Sequence, residues 1–283
     1  MLNKVLISAG ELNTRMHNSD VCIIDCRFEL KDPAWGFKDY QQSHIPGAVY
    51  ADLDKDLASA KTPFSGRHPL PEISQFAQMI SRFGIHKDDL VVIYDTQGGG
   101  MAARLWWLLR YYDYAHPVIL DGSFNAWKNL NYPVETGINS RPAVPIPNLV
   151  PNNEMVVFKE EILSKLGSND LLLVDARSPE RFQGEQEPID PIAGHIPGAV
   201  NRFHASNLDS SGFWKTSQQI RDEYNQIFKD TPPQNGVVYC GSGVTSCHNL
   251  VSMAIAEMPL PRLYVGSWSE WIKDPAYPIA IGE

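Results

Sequence analysis

The sequence predicts an α/β protein made of two copies of one domain, each a mostly parallel sheet with helices on both faces. Three observations carry this. First, blocks of sequence return in the same order. His44-Ile45-Pro46-Gly47-Ala48-Val49 reappears as His195-Ile196-Pro197-Gly198-Ala199-Val200, and Ile23-Ile24-Asp25-Cys26-Arg27 as Leu173-Val174-Asp175-Ala176-Arg177. Val92-Ile93-Tyr94-Asp95 reappears as Val237-Val238-Tyr239-Cys240, and Gly122-Ser123-Phe124-Asn125-Ala126-Trp127 as Gly266-Ser267-Trp268-Ser269-Glu270-Trp271. Ordered self-similarity of this kind marks a duplication. Second, short apolar runs alternate with helical patterns within each copy, which is how a parallel sheet covered on both faces reads. Third, residues 137 to 152 carry Pro142, Pro145, Pro147 and Pro151 with little periodicity, the composition of an extended linker.

Taken in order, the strands are expected at Val21–Asp25 and Leu90–Tyr94 in the first copy and at Leu171–Asp175 and Gly236–Tyr239 in the second. Helices are expected at Glu72–Phe83, Met101–Tyr112, Lys159–Ser164 and about Thr245–Ala256. In the last, apolar residues at 247, 250, 251, 254 and 255 form the stripe of a half-buried helix. The expected division is a first domain over 1–137, a linker over 138–152 and a second domain over 153–283.

At 283 residues the chain suits two domains of ordinary size. A net charge of −9 and the lack of a basic stripe argue against nucleic acid. No apolar run approaches the roughly 18 residues that span a bilayer, and the opening Met1-Leu2-Asn3-Lys4-Val5-Leu6-Ile7 lacks the apolar stretch and cleavage site of a signal peptide. The expectation is a cytoplasmic protein whose four cysteines, Cys22, Cys26, Cys240 and Cys247, are free thiols.

The duplication separates scaffold from chemistry. Asp25, Arg27 and His44 return as Asp175, Arg177 and His195, so these read as structural. Cys240 does not return: Asp95 stands at its counterpart, in a loop, Asp95-Thr96-Gln97-Gly98-Gly99-Gly100, that keeps glycines and lacks the thiol. The first domain is therefore expected to be non-catalytic and Cys240 to be the nucleophile. Cys240 ends an apolar strand, where open α/β sheets place their ligands. Gly241 and Gly243 let the backbone curl with several N–H groups inward, a nest for an anion, and a helix starting beyond Thr245 adds positive potential. Both favour the reactive thiolate.

These blocks together resemble the tandem, two-domain members of the rhodanese family, and the resemblance covers almost the whole chain. The loop Cys240-Gly241-Ser242-Gly243-Val244-Thr245 looks like that of 3-mercaptopyruvate sulfurtransferases, whereas thiosulfate-preferring members more often carry cationic residues where Gly241 and Ser242 stand. The resemblance implies a fold of two rhodanese-like domains, no cofactor and no metal. It also implies a Cys240 persulfide charged by a small donor, 3-mercaptopyruvate or thiosulfate, and discharged to cyanide or to a thiol such as reduced thioredoxin. Arg181 matches the arginine that the family uses for the donor's anionic group, and Gly241, Ser242, Gly243, Val244 and Thr245 would line the substrate. A monomer is the family expectation.

Two positions depart from the mercaptopyruvate pattern. A second family arginine is absent from Glu185-Gln186-Glu187-Pro188-Ile189-Asp190, where Ile189 stands in its place, and Ala60 replaces an aspartate proposed to complete a Cys–Ser–Asp relay. Arg67 and His68, in the following Arg-His-Pro-Leu-Pro run, are the candidates for a contribution from across a domain interface. Three other readings compete. A cysteine phosphatase of related fold would need an arginine closing the loop, and Ser246 and Cys247 stand there instead. A thiosulfate:cyanide sulfurtransferase, or a persulfide carrier without a small donor of its own, would share the same loop. Cys247 is either a core thiol or a resolving partner for an oxidised Cys240.

Overall fold

The computed structural model describes residues 4–168, 170–229 and 231–282; Met1, Leu2 and Asn3, part of the N-terminal run considered above, lie outside them. The chain forms two compact units. The first holds the residues up to Ser59, Leu70–Asn152 and Leu208–Trp214; the second holds Ala60–Pro69, Asn153–Asn207 and the residues from Lys215 on. Each unit thus contains a short strip from the other half of the sequence.

The first unit carries β1 (Leu6–Ile7), β2 (Val21–Asp25), β3 (Val49–Tyr50), β4 (Leu90–Tyr94) and β5 (His116–Leu120), in the sheet order β1-β5-β4-β2-β3. The second repeats this with β6 (Val156–Val157), β7 (Leu172–Asp175), β8 (Val200–Asn201), β9 (Gly236–Tyr239) and β10 (Arg262–Tyr264), in the order β6-β10-β9-β7-β8. Every pairing between these ten strands is parallel. The register repeats too: Asp25 pairs with Tyr94 and Asp175 with Tyr239. Central strands such as β2, Val-Cys-Ile-Ile-Asp, are buried at every residue because helices cover both faces of the sheet.

Helices α1 (Ala9–Arg15), α2 (Trp35–Gln42), α3 (Ile73–Arg82), α4 (Ala102–Tyr111) and α5 (Ser123–Asn129) serve the first sheet. Helices α6 (Lys159–Lys165), α7 (Pro179–Gln183), α8 (Ser217–Phe228), α9 (Ser246–Ile255) and α10 (Ser267–Trp271) serve the second. α3 buries Phe76, Ala77, Met79 and Ile80 on one face, the spacing of an amphipathic helix. α9 differs from the half-buried helix its apolar stripe predicts. From Ser246 to Met253 every residue is buried. Its polar side is covered because it has partners. Asn249 Nδ2 donates to the Arg202 carbonyl at 3.0 Å, Asn207 Nδ2 donates to Asn249 Oδ1 at 2.7 Å, and Ser252 Oγ donates to Tyr224 Oη at 2.9 Å. Buried polar groups are tolerated when hydrogen bonded, and apolar periodicity alone does not register that.

The repeated blocks are scaffold in both units. Arg27 lies on the Asp25 carboxylate and over the Phe124 ring; Arg177 lies on Asp175 and over the Trp268 ring. His44 Nδ1 meets the Tyr40 carbonyl at 2.7 Å and His195 Nδ1 the Phe182 carbonyl at 2.8 Å. The proline-rich stretch over 138–152 has no helix or strand and is tied to the first unit. Arg141 Nη1 donates to the Val21 carbonyl at 3.0 Å, Val144 N to Ser81 O at 3.1 Å and Asn152 N to Tyr111 O at 2.8 Å. No helix among the described residues is long and apolar enough to cross a membrane.

Candidate active site

In the second sheet β7 leads outward to β8 while β9 leads the opposite way to β10, so the strand order reverses between β7 and β9. The crevice beyond the carboxyl ends of two such strands is where open parallel sheets bind ligands. Cys240 follows β9 directly at this point and is 2% exposed. Its sulfur accepts the N–H of Gly243 at 3.2 Å and of Ser242 at 3.5 Å. Burial works against charge on the thiol, but the Thr245 hydroxyl and the Ser242 N–H outweigh it, and the thiol is held below its ordinary value.

The loop keeps its N–H groups inward because its carbonyls are taken from behind by the Gly-Ser-Trp-Ser-Glu-Trp block. Trp268 N donates to the Cys240 carbonyl at 3.0 Å, Ser269 N to the Gly241 carbonyl at 2.9 Å, and Cys240 N donates to Ser267 Oγ at 3.2 Å. Ser267 adopts φ of +55°, a left-handed conformation costly for a side chain. Its duplicate, Ser123, shares that conformation at +60°. Two glycines are required for different reasons. Gly243 has φ of +74°, and a methyl group on it would sit 2.4 Å from the Val265 carbonyl oxygen. A methyl group on Gly241 would sit 2.6 Å from Arg67 Nη2 and 3.4 Å from Arg181 Nη2.

Both arginines therefore stand over the loop. Arg181, on α7, is clamped through Nε by Glu187 at 3.0 and 3.1 Å, and its Nη2 donates to Asp190 Oδ2 at 3.1 Å. Arg67 binds the other oxygen, Oδ1, of Asp190 through Nη1. Asp190 thus bridges the two guanidiniums. Burial pushes its carboxyl above the ordinary range, against the pull of Arg67. For Glu187 burial acts the same way, but the hydrogen bonds from Arg181 and from the Asp190 N–H prevail and hold it below its ordinary value. His68 is buried, with Nδ1 hydrogen bonded to Ser242 Oγ at 2.8 Å.

Arg67 and His68 were expected from across a domain interface; they belong to the second unit itself, in the strip Ala60–Pro69. Arg67 N donates to Ser269 Oγ at 3.0 Å, and Gly66 passes so close to Gly266 that a methyl group on it would lie 2.4 Å from the Gly266 carbonyl. The structure thus brings Cys240, Gly241, Ser242, Gly243, Thr245, Arg181, Arg67 and His68 together. Val244 is buried in the loop, with its carbonyl bonded to Cys247 N. Ile189, where an arginine is absent, is 40% exposed. Sequence reading missed Asp190, Glu187 and the loop-anchoring role of Ser267 and Ser269. The repeat of Gly-Ser at both positions was the available signal for Ser267. Cys247 is buried, and its thiol donates to the Gly243 carbonyl at 3.4 Å.

In the first unit the Asp95 carboxylate fills the corresponding nest. Oδ1 accepts Gln97 N at 2.9 Å and Gly99 N at 2.8 Å; Oδ2 accepts Met101 N at 2.8 Å and Ala102 N at 3.0 Å. The strip Leu208–Trp214 covers this loop. A methyl group on Gly98 would meet Leu208 Cδ1 at 2.3 Å, and one on Gly99 would meet the Trp214 ring at 3.1 Å.

The rhodanese-like domain family matches the sequence twice, over residues 8–130 and 158–274. The chain is 41% identical to the "Probable 3-mercaptopyruvate sulfurtransferase" of Pseudomonas aeruginosa, over the full length of both. It is 32% identical to the rat thiosulfate sulfurtransferase, over 83% of this chain and 80% of that protein. Among solved structures, SseA from Escherichia coli, described as a 3-mercaptopyruvate sulfotransferase of rhodanese fold, superposes with a TM-score of 0.80. It is 29% identical, over 94% of this chain and 100% of that one.

Proposed function

The chain belongs to the rhodanese-like family, and on that premise we propose that it is a sulfurtransferase working through a Cys240 persulfide, with 3-mercaptopyruvate as the donor. The carrying observation is the buried Cys240 sulfur, facing two loop N–H groups and held toward thiolate. The thiolate attacks the thiol sulfur of the donor. An S–S bond forms, the donor's C–S bond breaks, and its electron pair leaves with pyruvate as the enolate, which takes a proton to become pyruvate. The outer sulfur stays on Cys240, its charge cradled by the same N–H groups. An acceptor thiolate then attacks that sulfur and restores the Cys240 thiolate; with cyanide the product is thiocyanate. This is double displacement through a covalent intermediate.

Arg181 holds the donor's carboxylate, and Gly241 lets that group lie close to the loop backbone. The hydrogen-bonded pair of His68 and Ser242 supplies the proton to the leaving enolate from the side of the loop next to the sulfur. Val244 packs and Thr245 donates to the sulfur. The protein acceptor is a reduced thioredoxin, and the enzyme acts in the cytoplasm as a monomer; four free cysteines are compatible with that compartment. Mass spectrometry of the intact protein tests the reading. Incubation with 3-mercaptopyruvate adds one sulfur atom, lost on treatment with a thiol, and Cys240→Ala abolishes the addition. Loading that persists in Cys240→Ala would overturn it. Comparing kcat/KM for 3-mercaptopyruvate and thiosulfate decides between the donors.

A further inference from the structure

We propose that Asp190 is a resident carboxylate occupying a two-arginine clamp, and that the donor binds by displacing it, with Arg67 and Arg181 together taking over the donor's carboxylate. This rests on the reading of the site as a sulfurtransferase centre and says how that centre reads its donor.

Three observations carry it. The carboxylate of Asp190 spans the two guanidiniums, one oxygen on each, in the way a ligand's carboxylate would. Both guanidiniums stand beside Gly241, the residue after Cys240, so an anion held between them lies next to the sulfur. Their fixing is unequal. Arg181 keeps Glu187 on its Nε whatever happens at Nη2, and Arg67 is held through its backbone N by Ser269 while its Nε is buried without a hydrogen-bond partner. The Arg181 guanidinium is thus mounted on the site independently of Asp190, and on Arg67 one buried donor is left over for a ligand.

Charge points the same way. Arg67, Arg177 and Arg181 face Asp175, Glu187 and Asp190, and the six side chains balance. Swinging Asp190 out leaves these six side chains with one positive charge, and beside the Cys240 thiolate a monocarboxylate such as a 2-oxo acid loads that charge less than a dianion such as thiosulfate does. Asp190 sits in a connection with exposed Ile189 and Ile192 on either side, so the carboxylate can leave without uncovering core. An internal ligand of this kind weakens the external one by the fraction of time it occupies the clamp.

The test uses the full chain in a Cys240→Ala background, which cannot turn over, and measures the dissociation constant of pyruvate, a monocarboxylate with the donor's 2-oxo acid end. Asp190→Asn, which keeps shape and removes charge, is expected to tighten pyruvate binding about tenfold. Arg67→Gln is expected to weaken it by a similar factor and to abolish the gain when combined with Asp190→Asn. With the cysteine present, Asp190→Asn lowers KM for 3-mercaptopyruvate more than for thiosulfate. Pyruvate binding that is unchanged or weaker in a folded Asp190→Asn protein would overturn the proposal, as would a gain that survives Arg67→Gln. If Asp190→Asn does not fold, Arg67→Gln alone decides, and pyruvate binding unaffected by it overturns the clamp. Because binding involves no sulfur step, failure of the clamp is distinct from failure of sulfur loading, which would count against the function itself.

Discussion

Asp95 and Cys240 stand at the same position of a duplicated loop, and each presents an acceptor to the same inward ring of backbone N–H groups. Asp95 fills its ring permanently, with four bonds to Gln97, Gly99, Met101 and Ala102. Cys240 presents a single sulfur atom to its ring, which accepts the N–H groups of Ser242 and Gly243. The first copy therefore displays the loop's electrostatic capacity with the ligand built in, and the second turns the same capacity on a thiol.

Asp95→Ala leaves four N–H groups without their carboxylate in a buried place. The expected cost is on the order of 2–4 kcal/mol of stability, read as a lower urea midpoint at unchanged slope. An unchanged midpoint would show that water replaces the carboxylate without loss.

The thiol of Cys240 is held low, so its alkylation by iodoacetamide should rise with pH through a midpoint below the ordinary value of 9.0 and then stay level, because the thiolate is the reacting form. Thr245→Val removes a donor to the charged form and moves the midpoint up. Cys22, pushed up to about 12 by burial, and Cys26, pushed up for the same reason, should remain unlabelled at neutral pH. Labelling of either in the folded protein, or a midpoint at or above that of free cysteine, contradicts this account.

Arg181→Ala should raise KM for 3-mercaptopyruvate by about 10- to 100-fold, the value of one charge-assisted contact, while Cys240 keeps its low alkylation midpoint. Equal KM in the two proteins would take Arg181 out of donor binding.

Removing either member of the His68–Ser242 pair should lower kcat by about 100-fold, and the double variant His68→Ala/Ser242→Ala should cost little more than either single change, since the two act through one hydrogen bond. Additive losses would mean that they act separately.

Gly243→Ala places a methyl group 2.4 Å from the Val265 carbonyl in a backbone region that only glycine visits cheaply. Sulfur loading should be lost and the melting temperature lowered. A variant that still loads sulfur at the parent rate would show that the loop has slack.

What the sequence made legible follows from locality. The nest is encoded by six consecutive residues and a strand before them, so Cys240 and its glycines could be read directly. Repetition supplied the fold, because two degenerate copies of the same blocks constrain each other. Arg67 and His68 were legible as candidates but not as neighbours of Gly241 and Ser242, since more than half the chain separates them and no periodicity encodes that approach. Asp190 was hidden for another reason: an aspartate in an acidic, proline-containing turn reads as a solvated surface group until Arg67 is seen to reach it. The polar side of α9 misled in the same way, as Asn207, Tyr224 and Arg202 had to be in place before its burial made sense.

The strip Ala60–Pro69 also sets what each repeat must encode. The first copy carries Asp95 where the second carries Cys240, yet its sequence supplies Arg67 and His68 to the second unit. A gene cut back to the second repeat would encode the nucleophile, its loop and Arg181, and would lack the second guanidinium and the imidazole. The second unit is therefore not encoded by the second repeat alone: ten residues of the first repeat belong to it.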